Sequence, residues 1–146
     1  MMELKTLSSQ FYNIYDSCPQ ILKKENRAYS ILLHKIDDII FAIPIRGNID
    51  HPYCLHTPNP DPQKKNSGLD FSKAIPILDP VFIGEDAHIT SAEFNFLKTK
   101  KGKITQEMRK YLALYKKAFK NQSIPRNRRI CEFSSLQYFH QELGII

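Results

Sequence analysis

The chain has 146 residues, 42% of them hydrophobic, enough for one core, and carries a formal charge of +6 with a pI near 9.2. No apolar run approaches the roughly 18 residues that a membrane span needs, and Met1-Met2-Glu3-Leu4-Lys5 lacks a signal-peptide core. A single cytoplasmic domain over residues 1–146 is expected, with Cys18, Cys54 and Cys131 too few and too far apart for a disulfide framework.

Glu3 to Leu7 alternates weakly and predicts an edge strand. Ser8 or Ser9 then caps a short helix through Tyr15, with Phe11, Ile14 and Tyr15 on one face, and Pro19 ends it. Residues 20–26 read as loop. Ala28 to Ile36 predicts a strand, Asp37-Asp38 a turn, and Ile39 to Ile45 the returning strand of an antiparallel hairpin. Five of the eight residues from Asp38 to Ile45 are β-branched or aromatic, which suits burial, but Pro44 cannot donate to a ladder, so the strand is expected to stop there. The polar turn that follows carries Arg46, Asn48, Asp50 and His51. Arg27 and Tyr29, at the start of the partner strand, are expected to face that turn across the sheet. An ordinary strand followed by a solvated turn accounts for the same residues.

Tyr53 to His56 predicts another short strand. Thr57 to Gly68, with three prolines and no apolar side chain, predicts a surface loop. Leu69-Asp70-Phe71-Ser72-Lys73 then leads into an edge strand over Ala74 to Leu78, interrupted at Pro76. Thr90 with Glu93 forms a capping box and Ile89 with Phe94 a hydrophobic staple, predicting a helix from Ser91 to Lys100 that ends at Gly102. Thr105 is expected to cap a second helix, along which Met108, Tyr111, Leu112, Tyr115, Ala118 and Phe119 recur at helical spacing. Arg126-Asn127-Arg128-Arg129 reads as a basic loop, and Ser134 with Gln137 starts a C-terminal helix, with a staple of Phe133 and Tyr138, that Gly144 can end. Strands first and helices later indicate an α+β fold: a small antiparallel sheet curled into a partly open barrel, flanked by about four helices.

The positive charge is concentrated. Between Lys98 and Arg129 there are twelve Lys or Arg and one acid, Glu107, whereas the rest of the chain has nine bases and fourteen acids. Such a segment is the footprint of a polyanion partner, with Lys110, Lys116, Lys117, Arg126, Arg128 and Arg129 as candidate phosphate contacts. A solvated helix face with a basic loop is the competing explanation.

Four segments in order resemble the endoribonuclease toxins of type III toxin-antitoxin systems, ToxN, AbiQ, CptN and TenpN. They are Ser8-Ser9, Phe41-Ala42-Ile43-Pro44-Ile45-Arg46-Gly47-Asn48 with His51, Gly68-Leu69-Asp70-Phe71-Ser72-Lys73-Ala74-Ile75-Pro76-Ile77, and Cys131-Glu132-Phe133-Ser134-Ser135-Leu136. The Ile-Pro-Ile-Arg-Gly-Asn turn and the Gly-Leu-Asp-Phe-Ser-Lys segment are most similar to the TenpN and CptN branches. The resemblance implies a compact barrel-like core flanked by helices and metal-independent cleavage of cellular or phage mRNA, with no cofactor. It also implies a role in abortive infection and inhibition by a repeated pseudoknot antitoxin RNA, in a closed protein-RNA assembly. One departure stands out. ToxN and AbiQ carry Thr-Ser-Pro-Lys where this chain has Arg46-Gly47-Asn48-Ile49, so the serine and lysine associated with catalysis there have no counterpart at Gly47 and Ile49. Arg27 stands where ToxN has a lysine, and Tyr29 where it has an aromatic.

Cutting RNA without a metal requires the 2′-hydroxyl to lose a proton, the phosphorus centre to gain negative charge and the departing 5′-oxygen to be protonated. His51 is the candidate for proton transfer. Arg46 suits a bidentate phosphate clamp, Lys73 adds charge, and Ser72 and Asn48 offer hydrogen bonds. Arg27 and Tyr29 are candidates to bind or stack on a flanking nucleotide, and Asp70 to orient a cation or the histidine. His140, on the apolar stripe of Leu136, Phe139 and Leu143, reads as a packed residue. His51, Cys54, His56 and Cys131 make a poor zinc set, because a lone Cys sits between the two histidines. A non-catalytic RNA- or DNA-binding module using the same basic residues remains the alternative.

Overall fold

The computed structural model describes residues 3–22, 29–59, 63 and 65–145. Its strands are β1 (Glu3–Leu7), β2 (Ile31–Ile36), β3 (Ile39–Arg46), β4 (Cys54–His56), β5 (Gly68–Asp70), β6 (Ile75–Pro76) and β7 (Ile83–Asp86). The helices are α1 (Ser9–Ile14), α2 (Ser91–Lys98), α3 (Lys101–Lys120) and α4 (Pro125–Phe133). The strands form one antiparallel sheet in the order β4-β5-β3-β2-β1-β7, with β6 also on β3. The sheet is open, since no pairing joins β4 to β7 among the described residues. The α+β class read from the sequence is the class observed.

The hairpin of β2 and β3 sets the frame. It pairs from Ile31↔Pro44 to Ile36↔Ile39, and Asp37 and Asp38 turn between the strands with φ of 50° and 69°. Two left-handed residues in a two-residue loop match the twist of the strands they join. β3 does not stop at Pro44; it continues to Arg46. The register explains why. The Ile45 N–H donates to the Ser30 carbonyl at 2.9 Å, so Pro44 and Ile31 form a pair that exchanges no hydrogen bonds, and the missing donor is not needed on that side. On the other edge Pro44 falls between β6, opposite Phe41 and Ala42, and β5, opposite Ile45 and Arg46.

Other expectations are corrected. β1 lies between β2 and β7, so it is an interior strand and not an edge. β2 starts at Ile31, leaving Tyr29 outside it, while Arg27 and most of the loop over 20–26 lie outside the described residues. In α1 the Phe11 ring is buried but Ile14 is 62% exposed. The strand expected over Ala74 to Leu78 is two residues long. The Thr90 and Glu93 capping box forms as read, and α2 ends at Lys98. Gly102 does not separate two helices, because α3 begins at Lys101, and Thr105 sits inside it with Oγ1 2.6 Å from His34 Nε2. The basic loop is helix α4, which Pro125 opens in its first turn, where a missing N–H costs nothing. Beyond it Ser134 caps only a 3-10 turn, Ser135–Tyr138, while the Gln137 amide donates to the carbonyls of Glu132 and Ser134.

The core joins the inner faces of β2 and β3 to α3, whose Ile104, Met108, Tyr111, Tyr115 and Ala118 are buried. Among the described residues no helix is long and apolar enough to cross a membrane.

Candidate functional site

Three strand ends meet around one carboxylate. Asp70 ends β5 and caps the 3-10 turn Phe71–Lys73, with its Oδ1 accepting the Ser72 N–H at 3.0 Å and the Ser72 hydroxyl at 2.6 Å. Arg46, at the end of β3, donates from its guanidinium to Asp70 Oδ2 at 3.1 Å. His51, on the turn before β4, places Nε2 3.2 Å from Asp70 Oδ1 and 3.3 Å from Ser72 Oγ. The Asp70 side chain is 0% exposed. Burial alone pushes its carboxyl up, but the hydrogen bonds from His51 and Ser72 and the charges of His51 and Arg46 outweigh it and hold the carboxyl below the usual carboxylate range.

The tautomer of His51 follows from its neighbours. Nδ1 accepts the backbone N–H of Tyr53 at 3.1 Å, so in the neutral ring Nε2 carries the proton and donates to Asp70.

Over this cluster opens a cleft of about 720 Å³. It is lined by Arg46, Asp50, His51, Tyr53, Ser72 and Lys73, by Tyr111 of α3, and by Arg126, Arg129, Ile130 and Phe133 of α4. The Tyr53 ring lies between His51 (centroids 5.7 Å) and Tyr111 (5.6 Å), and the Tyr111 hydroxyl donates to Ser134 Oγ at 2.7 Å. Lys73 ties the walls together: its Nζ donates to Gln20 Oε1 and to the Phe133 carbonyl, each at 2.6 Å. Burial pushes its ammonium pKa down, with Asp70 opposing and Arg46 adding to the fall. Ser135 Oγ adds a second tie, donating to the Ala74 carbonyl at 2.5 Å.

Of the residues picked out from the sequence, Arg46, His51, Asp70, Ser72, Lys73, Arg126 and Arg129 are brought together. Asp70 is fully buried and does not line the cleft; its side chain meets Arg46, His51 and Ser72. Asn48 is exposed at φ 55°, its N–H donating to the Lys65 carbonyl, and does not line the cleft. Tyr29 lines a separate small cavity beside Tyr12 and Pro44, to which Lys73 alone is common. Arg27 falls outside the described residues. Lys110, Lys116 and Lys117 are exposed on α3, and Arg128 donates to the Gln122 and Ser123 carbonyls. Tyr53, Ile130 and Phe133 were not foreseen as lining residues. The spacing of Arg126, Arg129, Ile130 and Phe133 marks one helix face, but only once residues 125–133 are known to be helical. His140 is packed against Tyr115 and Phe119, but where a backbone partner is expected its Nε2 lies 2.6 Å from the Tyr115 hydroxyl. Among the described residues no three His, Cys, Asp or Glu side chains converge as a metal site.

No family model and no curated protein matches the chain. Among solved structures it is similar to a chain described in the words "a processed non-coding RNA regulates a bacterial antiviral system", with a TM-score of 0.55 and 15% identity, over 77% of this chain and 85% of that one. At that identity the similarity establishes a shared fold.

Proposed function

We propose that the chain is an RNA-inhibited endoribonuclease toxin of the type III toxin-antitoxin kind, cleaving RNA by attack of the 2′-oxygen on the adjacent phosphorus. The observation that carries this is the cleft itself. It brings Arg46, Lys73, Arg126 and Arg129 into one lining with an imidazole and a hydroxyl, so a phosphodiester bound there meets several cations and a proton carrier. The shared fold with a chain described as part of an RNA-regulated antiviral system, and the ordered motifs of the sequence, favour the same reading and supply the antitoxin RNA as partner. The inhibitor in this reading is a repeated pseudoknot RNA and the assembly a closed protein-RNA ring.

In the reaction the new bond is 2′-O to phosphorus and the broken bond is phosphorus to 5′-O. The 2′-hydroxyl loses one proton and the 5′-oxygen gains one. Arg46 clamps the non-bridging oxygens while Asp70 holds the guanidinium by one edge. Ser72 spends its one hydroxyl proton on Asp70 and so holds the carboxylate in place, Lys73 fixes the cleft walls and adds positive charge, and His51 carries the proton between the two oxygens through Nδ1 once that nitrogen leaves the Tyr53 N–H.

A second reading, a non-catalytic RNA-binding module, is favoured by one feature: both ring nitrogens of His51 and the Lys73 amine already have protein partners. Incubation of the purified protein with RNA in excess EDTA separates the two. A 5′-hydroxyl fragment and a 2′,3′-cyclic phosphate are expected. RNA that stays intact at every time point while remaining bound would leave only the binding module.

A further inference from the structure

The cleft holds an aromatic ring that neither the fold nor the reaction described above uses. Phe133 is the last residue of α4, lines the cleft and is 55% exposed. The other two rings in the lining are already engaged: Tyr111 is buried, and Tyr53 lies between His51 and Tyr111. Single exposed apolar side chains are common and need no explanation, but this one has particular neighbours. Arg126, Arg129 and Ile130 lie seven, four and three residues before it, on the same helix face. Arg129 is about 6 Å away along the axis, one helical turn.

The backbone that carries the ring is also held in place. The Phe133 carbonyl accepts the Lys73 Nζ hydrogen bond at 2.6 Å, and the next residue, Ser134, is buried, its Oγ accepting from Tyr111 and from the Leu136 N–H. An apolar face fixed on a rigid element, beside a guanidinium one turn away, has the form of a nucleotide subsite: cation for the phosphate, ring for the base.

We infer that Phe133 is a stacking platform for a nucleobase next to the scissile phosphate, with Arg129 on that nucleotide's phosphate, so that the cleft accepts only unpaired strands. The inference rests on the nuclease reading of the cleft and names the form of its substrate. Bases in a duplex keep both faces stacked on their neighbours and have none to offer the ring. Stacking tolerates any base, so Phe133 selects strandedness and leaves sequence to other contacts.

The chain contains no tryptophan, so Phe133→Trp installs a single fluorophore at the platform. The probe is a short 2′-O-methyl oligonucleotide of mixed sequence, which cannot be cleaved, offered as a single strand, as a duplex and as an abasic strand of equal length. Saturable quenching by the single strand alone is expected. Binding of the single strand, followed independently by anisotropy of a label on the oligonucleotide, with unchanged tryptophan emission would overturn the platform; so would equal quenching by the abasic strand. Kinetics supply the second measurement. Phe133→Ala should raise KM for single-stranded RNA about tenfold, with kcat retained and Phe133→Tyr restoring KM. A fall in kcat shared by both variants would mark a structural role and overturn the assignment. Cleavage by the unmodified protein is the independent control: if it cleaves while Phe133→Ala leaves KM unchanged, the platform fails and the nuclease reading stands.

Discussion

Asp70 does not line the cleft, yet three side chains that do converge on its carboxylate. It is fully buried and accepts hydrogen bonds from Arg46, His51 and Ser72. Replacing it with Asn keeps the shape but turns an acceptor into a donor against one of them, and should cost about 2 kcal/mol of stability. Because the fold holds this carboxyl below its ordinary value, which is about 3.9 in an unfolded chain, the stabilisation is complete above that value and is lost as pH falls through the folded-state pKa. The gap in urea midpoint between the natural protein and Asp70→Asn should thus be level from about pH 5 to 7 and shrink below about pH 4. A gap that persists unchanged into strong acid would show that the carboxylate charge is not what binds the three donors. The histidines offer a companion test. Arg46→Ala and His51→Ala should abolish growth inhibition with folding kept. His34→Ala should not, because its Nε2 meets Thr105 of α3 and the residue does not line the cleft. Equal toxicity of all three variants would put the site elsewhere.

β5 is three residues long, and its placement between β3 and β4 is what brings Asp70 under Arg46 and His51. The close approach has one requirement: a Cβ at Gly68 would lie 2.2 Å from the Leu55 carbonyl oxygen. Gly68→Ala should therefore push β4 off β5 and loosen the His51 turn. It is expected to raise amide exchange at Thr57 and Phe71, whose N–H groups bond Ser67 and Tyr53 across this junction, before it lowers the global unfolding midpoint. Unchanged exchange at both would show that β4 is held by other means. At this scale the sequence was legible wherever the signal was local. The Asp37-Asp38 turn and the Thr90 capping box are decided within four residues, and both are present. Signals that depend on the partner misled. Pro44 looks like a strand end until the register shows that its nitrogen faces away from β2, and Gly102 looks like a helix end although α3 runs through it. The guanidiniums of α4 read as loop because three arginines and a preceding proline lack an apolar stripe, yet Ile130 and Cys131 are enough to seat that helix. Arg46, His51, Ser72 and Lys73 could be nominated from chemistry alone, and Asp70 as a partner for a cation or the histidine; that one carboxylate takes Arg46, His51 and Ser72 together, while Lys73 bonds Gln20 and the Phe133 carbonyl, required the third dimension.

At the scale of the whole molecule the basic segment presents two groups with different geometry: Arg126 and Arg129 line the cleft together with Arg46, whereas Lys116, Lys117 and Lys120 are exposed along the last turns of α3. If a long RNA runs over α3 into the cleft, the two groups should separate in experiment. Each phosphate contact with a single strand contributes about 0.7 to the slope of log affinity against log salt. Charge reversal at Lys116 and Lys117 together should lower that slope by about 1.4 and weaken binding of long RNA, while cleavage of a short oligonucleotide that fits the cleft keeps its rate. Arg126→Ala with Arg129→Ala should reduce both. Titrations of labelled long and short RNA between low and moderate salt, with cleavage rates on the same substrates, measure all four quantities. An affinity that does not change with salt would remove phosphate contacts from the account. Lysine variants as damaging to short substrates as the arginine pair would merge the two surfaces into one, so that the last turns of α3, like Tyr111 in its middle, would be part of the reaction cleft and not an approach to it.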